Sequence, residues 1–166
     1  MITMAGPLID ELTREAATTR RVLERVPEDK LSWKPHAKSM SLGELALHVA
    51  QTPGGVAELI SRPEAEPPRF QRPEAKSRAE LLTALDESVA TAQSKLAAWS
   101  DSDLLAEWKL KGGGKTLMTV PRVGMIRSIM LNHWYHHRGQ LLVYLRLLDV
   151  PVPSVYGPSA DENPFA

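Results

Sequence analysis

Three histidines are spaced so that they can act together on one metal ion. His133 and His137 are four residues apart in a segment with helical periodicity, so their imidazoles lie one turn apart on the same face. His48 lies on the apolar face of a second helical segment, and facing helices of a bundle bring such distant side chains into one interior site. Three neutral nitrogen ligands leave positions open on the ion, as in catalytic metal sites.

The same pattern allows a simpler interpretation. The histidines can be core residues that hydrogen-bond to one another or to the backbone, because each neutral imidazole has one donor and one acceptor to satisfy. His136 competes as a ligand, since it follows His133 by three residues and points about 60° away from it on a helix of 3.6 residues per turn. We expect His136 to face a partner or to contact the ligands.

Two more side chains are candidates for contact with the ligands. Gln140 lies one turn beyond His137 and can fix the tautomer of a ligand ring, or it is an ordinary buried glutamine. Glu44 lies one turn before His48 and is a candidate base, but its spacing from Ser41 predicts a helix-capping role, which we prefer. His36 lies in a loop beside a proline and is expected to be solvated.

Four helices are predicted to position these residues. Apolar periodicity places them at 6–26, 41–60, 77–99 and 121–148, with a kink expected at Pro53 in the second helix. Residues 62–75 are predicted to form a connecting loop, and the glycine-rich segment 111–115 fits a small hairpin and an irregular loop equally well. We therefore expect one all-α domain over 1–166, a four-helix bundle with a glycine-rich loop before its last long helix and an extended, proline-rich tail at 150–166.

Composition and charge exclude several classes of function. The chain carries 20 basic and 20 acidic residues, so there is no general electrostatic attraction to nucleic acid or to an anionic membrane. Cysteine is absent, which excludes disulfides, metal–thiolate sites and a protein thiol nucleophile. There is no apolar run long enough to span a membrane, no signal-peptide pattern and no phosphate-loop spacing at Gly112–Gly114. A cytoplasmic protein is expected.

Three segments of the sequence resemble a known family. They are residues 31–36 (Leu-Ser-Trp-Lys-Pro-His), residues 40–48 (Met-Ser-Leu-Gly-Glu-Leu-Ala-Leu-His) and, above all, residues 132–140. The last segment has the pattern Asn-His-x-x-His-His-Arg-Gly-Gln. It is similar to the signature on the final long helix of the DinB-like (DinB/YfiT-like) superfamily of metal-binding four-helix bundles.

The resemblance implies a metal site, an assembly and a range of activities. It assigns the three ligands to His48, His133 and His137, and it implies a divalent ion, zinc or nickel foremost, with iron or manganese as alternatives. Similar proteins form dimers, and those with an assigned activity are largely thiol-dependent: transferases that use bacillithiol or mycothiol, and a maleylpyruvate isomerase. We therefore expect a metal-dependent transferase that activates a small thiol cosubstrate. A metal-dependent hydrolase and a non-catalytic, metal-binding stress-response protein remain alternatives.

The fourth helix also predicts self-association. A second group of apolar residues lies beside its histidine stripe, so that the apolar arc covers more than half of the circumference; the group is Leu131, Trp134, Leu141, Leu142 and Leu145. A surface helix of a small bundle needs an apolar arc of only about 100°. Loops or the tail can cover the excess, but a second copy of the chain is the preferred interpretation. We expect a homodimer with this helix at or near the interface.

Overall fold

The chain is mainly helical in the computed structural model, which describes residues 3–68 and 71–165. Three long helices come first: α1 (Ala5–Leu23), α2 (Leu42–Leu59) and α3 (Arg78–Ala98), followed by the short α4 (Asp101–Leu105). The last helical stretch consists of α5 (Arg122–Met125), a π-helical segment (Ile126–Asn132) and α6 (His133–Leu147). Helix α2 lies at the centre, because it packs against α3, against the π segment and against α6.

The helix starts follow the expected capping chemistry to different degrees. At α2 the capping box is confirmed: the Ser41 hydroxyl accepts from the Glu44 amide, and the Glu44 carboxylate accepts from the Ser41 amide at 2.6 Å. At α3 the Ser77 hydroxyl likewise accepts from the Glu80 amide. The Glu80 carboxylate accepts from the amide of Lys76 at 2.7 Å, so the reciprocal bond of a capping box is made to the residue before Ser77.

Helix α2 continues through Pro53. Proline has no amide hydrogen, so the carbonyl of Val49 lacks its usual partner four residues along the helix. The indole Nε1 of Trp134 on α6 donates to that carbonyl at 2.8 Å. One residue further on, the amide of Gly54 donates to the hydroxyl of Ser88, and a Cβ at Gly54 would lie 2.8 Å from the Cα of Ser88. Proline and glycine therefore let α2 pack closely on its neighbours.

A three-stranded sheet corrects the all-α expectation. Its strands are β1 (Glu64–Ala65), β2 (Glu107–Gly112) and β3 (Lys115–Pro121), in the order β1-β2-β3, with β1 parallel and β3 antiparallel to β2. Gly113 and Gly114 both have positive φ, 56° and 76°, as the two-residue turn of a tight hairpin requires. The glycine-rich segment therefore closes a hairpin, which was one of its two predicted forms.

The segment after α6 is non-helical and packs on the helices. Residues 150–165 contain no helix or strand. Asp161 pairs with Arg146 of α6 and accepts from the amide of Val152, while Glu162 accepts from Arg21 of α1. These contacts bury Val152, Pro153 and Ser154 and fasten the tail across two helices.

Contacts within one chain cover most of the apolar arc from which we predicted a dimer. Leu131, Trp134, Leu141 and Leu145 are buried in the single chain, and Leu142 is half-buried beside the tail. Of the α6 residues, Val143 and Leu147 are the large apolar side chains left exposed. The arc therefore no longer supports a dimer, which stays a prediction.

The core is continuous across the helices and the hairpin. Leu12 and Leu23 of α1, Leu45 of α2 and Leu85 of α3 are fully or almost fully buried, as is Trp108 of β2. Burial of each such side chain contributes about 1.5–3 kcal/mol. Within the described residues, no helix is both long and apolar enough to cross a membrane.

Candidate metal centre

The fold brings the three predicted histidines together. His48 comes from the second turn of α2, while His133 and His137 come from successive turns at the start of α6. One ring nitrogen of each lies within 4.8 Å of the others, and Nε2 of His48 is 3.2 Å from Nε2 of His133. Two nitrogen ligands of a tetrahedral zinc ion lie about 3.4 Å apart, given Zn–N distances near 2.0–2.1 Å. The observed separation fits such a donor set.

The three rings meet edge to face. Their centroids are 4.3 to 5.4 Å apart and their planes are inclined by 84 to 89°. The 3.2 Å contact also satisfies the simpler interpretation for one pair, because one neutral imidazole can donate to the other through Nε2. A metal ion and a direct hydrogen bond would compete for the same lone pairs, which makes the two interpretations separable by metal titration.

Gln140 contacts the cluster as the sequence suggested. Its Oε1 lies 2.7 Å from Nδ1 of His137, a distance at which the imidazole N–H donates to the amide oxygen. A proton fixed on Nδ1 leaves the Nε2 lone pair of His137 free to bind an ion. Gln140 is exposed, so it is not the buried core glutamine of the alternative interpretation.

The other candidate side chains take different places. Glu44 lines the cavity beside the histidines, but its carboxylate is committed to the Ser41 amide and lies 3.6 Å from the ammonium of Lys34. His136 is exposed, with its ring centroid 5.0 Å from that of His137, and it is not part of the close cluster. His36 is exposed, and its Nδ1 accepts from the amide of Lys38.

Burial keeps the cluster neutral. The pKa of His137 is lowered to about 4, mainly by desolvation and in addition by the neighbouring histidines, while its hydrogen bond to the Gln140 oxygen opposes the shift. Burial is also the largest cause that lowers the pKa of His48 and of His133. Neutral imidazoles have the free lone pairs that metal binding requires, so the site does not have to release protons first at neutral pH.

The π segment ends directly before His133. In a π-helix the hydrogen bonds run over five residues instead of four, so the segment carries an extra residue relative to α-helix and rotates the residues of α6 about the helix axis. Such segments frequently occur at functional sites. The sequence predicts one regular helix over this stretch, because apolar periodicity over so few residues does not distinguish the two helix types.

A cavity of about 200 Å³ opens onto the histidines. Besides the three rings it is lined by Met40, Glu44, Gln51, Gln71, Arg72 and Pro73. Arg72 is close enough that its charge contributes to lowering the pKa of His48. Sequence reasoning did not find Arg72, because nothing in the spacing of a proline-rich loop indicates which of its side chains reaches the site.

The same fold and sequence pattern occur in a known family. The sequence profile of the DinB family matches residues 1–164, and the chain belongs to that family. Among curated proteins it is 24% identical over 151 residues to the uncharacterised protein YrdA of Bacillus subtilis (strain 168), covering 89% of this chain and 85% of YrdA. It is 26% identical over 146 residues to YjoA of the same organism, covering 86% of this chain and 89% of YjoA.

Solved structures show the same fold. A DinB-like protein from Bacillus cereus ATCC 10987 superposes with a TM-score of 0.73 at 22% identity, over 93% of this chain and 98% of that chain. The structure of YjoA from Bacillus subtilis superposes with a TM-score of 0.69 at 21% identity, over 95% of this chain and all of that chain (100%). The chain is thus a member of the DinB family and carries a histidine triad that could bind a metal ion.

Proposed function

We propose that this chain binds one divalent metal ion through His48, His133 and His137 and uses it to transfer a small thiol to an electrophile. The observation that carries the proposal is the convergence of three neutral imidazoles, one ring nitrogen of each within 4.8 Å of the others, on a solvent-reaching cavity. Imidazole ligands suit borderline ions, so zinc and nickel are the expected metals, with iron or manganese as alternatives. When bound, such an ion stabilises the negative charge of a thiolate at neutral pH.

The chain's own residues support a thiol that comes from outside. The sequence contains no cysteine, so a sulfur nucleophile must be a cosubstrate. Arg72, Gln51 and Gln71 line the cavity and offer the cationic and amide groups that bind a carboxylate or a peptide-like small thiol. In the reaction the thiol gives its proton to solvent, its sulfur forms a bond to the electrophilic carbon, and the leaving group departs with its electron pair.

A hydrolase is the second candidate, and Glu44 favours it. Its carboxylate lines the same cavity as the three histidines, where it could accept a proton from an attacking water. The capping bond to Ser41 and the nearby Lys34 already use that carboxylate and work against a role as base. The third candidate is a protein that binds metal without catalysis, which would show neither activity in the assays below.

The test measures turnover of the metal-loaded protein with two substrate pairs. N-acetylcysteine with 1-chloro-2,4-dinitrobenzene reports thiol transfer, and 4-nitrophenyl acetate without thiol reports hydrolysis. We expect thiol-dependent turnover that is lost in His133→Ala. Hydrolysis without thiol would favour the second candidate, and metal binding without either activity would contradict both catalytic roles.

Arg72 provides a sharper control on the cosubstrate. Arg72→Ala is expected to raise the KM for N-acetylcysteine, which carries a carboxylate, and to leave the KM for uncharged 2-mercaptoethanol unchanged. An equal change for both thiols would show that Arg72 does not bind the carboxylate.

A further inference from the structure

A second, apolar cavity also reaches the histidine cluster, beside the cavity that Arg72 lines. Its volume is about 480 Å³, and His48, His133 and Gln51 line both cavities. The remaining lining residues come from five elements and one loop. They are Thr52, Gly55, Val56 and Leu59 of α2; Pro68 of the loop after β1; Trp108 and Leu110 of β2; Met118 of β3; Met125 of α5; and Ile129 of the π segment. The cavity therefore lies between α2, the hairpin and the π segment.

The hairpin builds one wall of this apolar cavity. Trp108 and Leu110 are two residues apart in β2, so their side chains lie on the same face of the sheet. Met118 of β3 pairs with Leu110 across the strands and adds to that face. Trp108 is fully buried and Leu110 and Met118 are half-buried, which shows that this face of the sheet points inward.

The polar groups of the cavity are concentrated at one end. His48, Gln51, Thr52 and His133 lie where it meets the metal centre, whereas β3, α5 and the π segment contribute carbon and sulfur groups. Strand β2 adds Leu110 and the indole of Trp108, whose buried N–H has no hydrogen-bond partner among the described residues. None of its described lining residues is an acid, a lysine or an arginine. Such a cavity fits an uncharged hydrophobic group with one polar or reactive end, and its volume lies within the roughly 300–1,000 Å³ that is usual for small-molecule sites.

We propose that this apolar cavity binds the hydrophobic body of the electrophilic substrate, an uncharged aliphatic or aromatic molecule whose reactive carbon lies beside His48 and His133. The proposal rests on the proposed function for the role of the metal, but the cavity itself does not depend on it. The proposal also assigns one cavity to each reactant: the cavity lined by Arg72 binds the thiol, and the apolar cavity lined by Trp108 binds the electrophile that accepts it.

The test uses probes that separate the cavity from the metal. Linear alkylhydroxamates of two to eight carbons are titrated into zinc-loaded protein, so that the hydroxamate binds the ion and the chain enters the cavity. Burial of each methylene contributes enough free energy to raise affinity about fourfold. We expect affinity to rise with chain length at about that rate until the cavity is filled.

A matched pair of variants locates the binding. Ile129→Glu places a charge on the cavity wall at a position that is 36% exposed, so the fold can accommodate it. Leu105→Glu adds the same charge at the end of α4, where the leucine is 59% exposed and does not line the cavity. The chain-length dependence should be lost in Ile129→Glu and kept in Leu105→Glu, compared at equal measured zinc occupancy.

Titration of metal-free protein with 1-octanol distinguishes the two ways to fail. If zinc binds but hydroxamate affinity does not change with chain length, the apolar-cavity proposal is overturned while the metal site stands. If zinc does not bind, the proposed function fails, and saturable octanol binding that Ile129→Glu abolishes still supports the cavity. Absence of saturable octanol binding would overturn it.

Discussion

The indole N–H of Trp134 donates to the backbone carbonyl of Val49 at 2.8 Å, and each of these residues directly follows a histidine of the candidate metal centre. The carbonyl is free because Pro53, four residues on, has no amide hydrogen. The bond therefore fastens α2 to α6 at the level of His48 and His133. Pro53 would weaken an isolated helix, but here it leaves the Val49 carbonyl free to accept from Trp134 of α6, the helix that carries the other two histidines.

The first prediction concerns this bond. Trp134→Phe should lower the free energy of unfolding by about 1–3 kcal/mol through the buried, unpaired carbonyl, in addition to the loss of packing. Urea denaturation measures the change. Adding Pro53→Ala to Trp134→Phe supplies an amide hydrogen for Val49 and should recover about 1 kcal/mol relative to the single variant. No recovery in the double variant would show that the carbonyl does not need the indole.

The second prediction concerns the hydrogen bond between Gln140 and His137. Gln140→Leu removes the acceptor that holds the proton on Nδ1, so metal affinity should fall about 10- to 100-fold. Gln140→Glu keeps an acceptor at the same position and should retain most of the affinity. Competition titration with a chromogenic chelator measures both. Equal affinities for Gln140→Leu and the unaltered protein would mean that the tautomer is set in another way.

The third prediction is a pH dependence of the metal-free protein. The folded-state pKa of His137 is about 4, below its ordinary value of 6.5, so between these values the unfolded chain binds a proton that the folded chain does not. Stability is therefore unaffected by His137 above pH 6.5 and falls as the pH drops from 6.5 towards 4. Urea denaturation at about pH 7 and about pH 5 should show this loss, reduced in His137→Gln and unchanged in His36→Ala. An unaltered loss in His137→Gln would contradict the assignment.

The fourth prediction is the homodimer. Of the α6 residues, Val143 and Leu147 are the large apolar side chains exposed in one chain, four residues apart on the same helix face. If the last helix forms the interface, Leu147→Glu should produce monomers, while Leu117→Glu at the exposed edge of the hairpin should not. Sedimentation at micromolar concentration measures the mass. A monomeric unaltered protein would rule the dimer out.

How far the sequence predicts this molecule depends on the distance over which each interaction operates. The helices follow from local periodicity, and the grouping of His133 with His137 follows from helix geometry alone. The hairpin was one of two alternatives, because a Gly-Gly turn suits either form until strand pairing is known. The π segment cannot be distinguished from α-helix by apolar periodicity over only seven residues.

The unpredicted contacts join residues that are far apart in the chain. The Trp134–Val49 bond spans 85 residues, and the apolar cavity combines α2, both hairpin strands and the π segment. Arg72 reaches the centre from a loop without periodicity. Burial of the apolar face of the last helix by its own chain likewise depends on how α1, α2 and the tail pack on it, which local patterns do not specify.

Metal titration of histidine variants tests the central claim most directly. The unaltered protein should bind one zinc or nickel ion per chain. Separate alanine substitutions at His48, His133 and His137 should each weaken binding at least tenfold, because each removes one of three ligands. Elemental analysis and titration of His36→Ala and His136→Ala should show the metal retained. Equal stoichiometric metal in His137→Ala and His36→Ala would contradict the account.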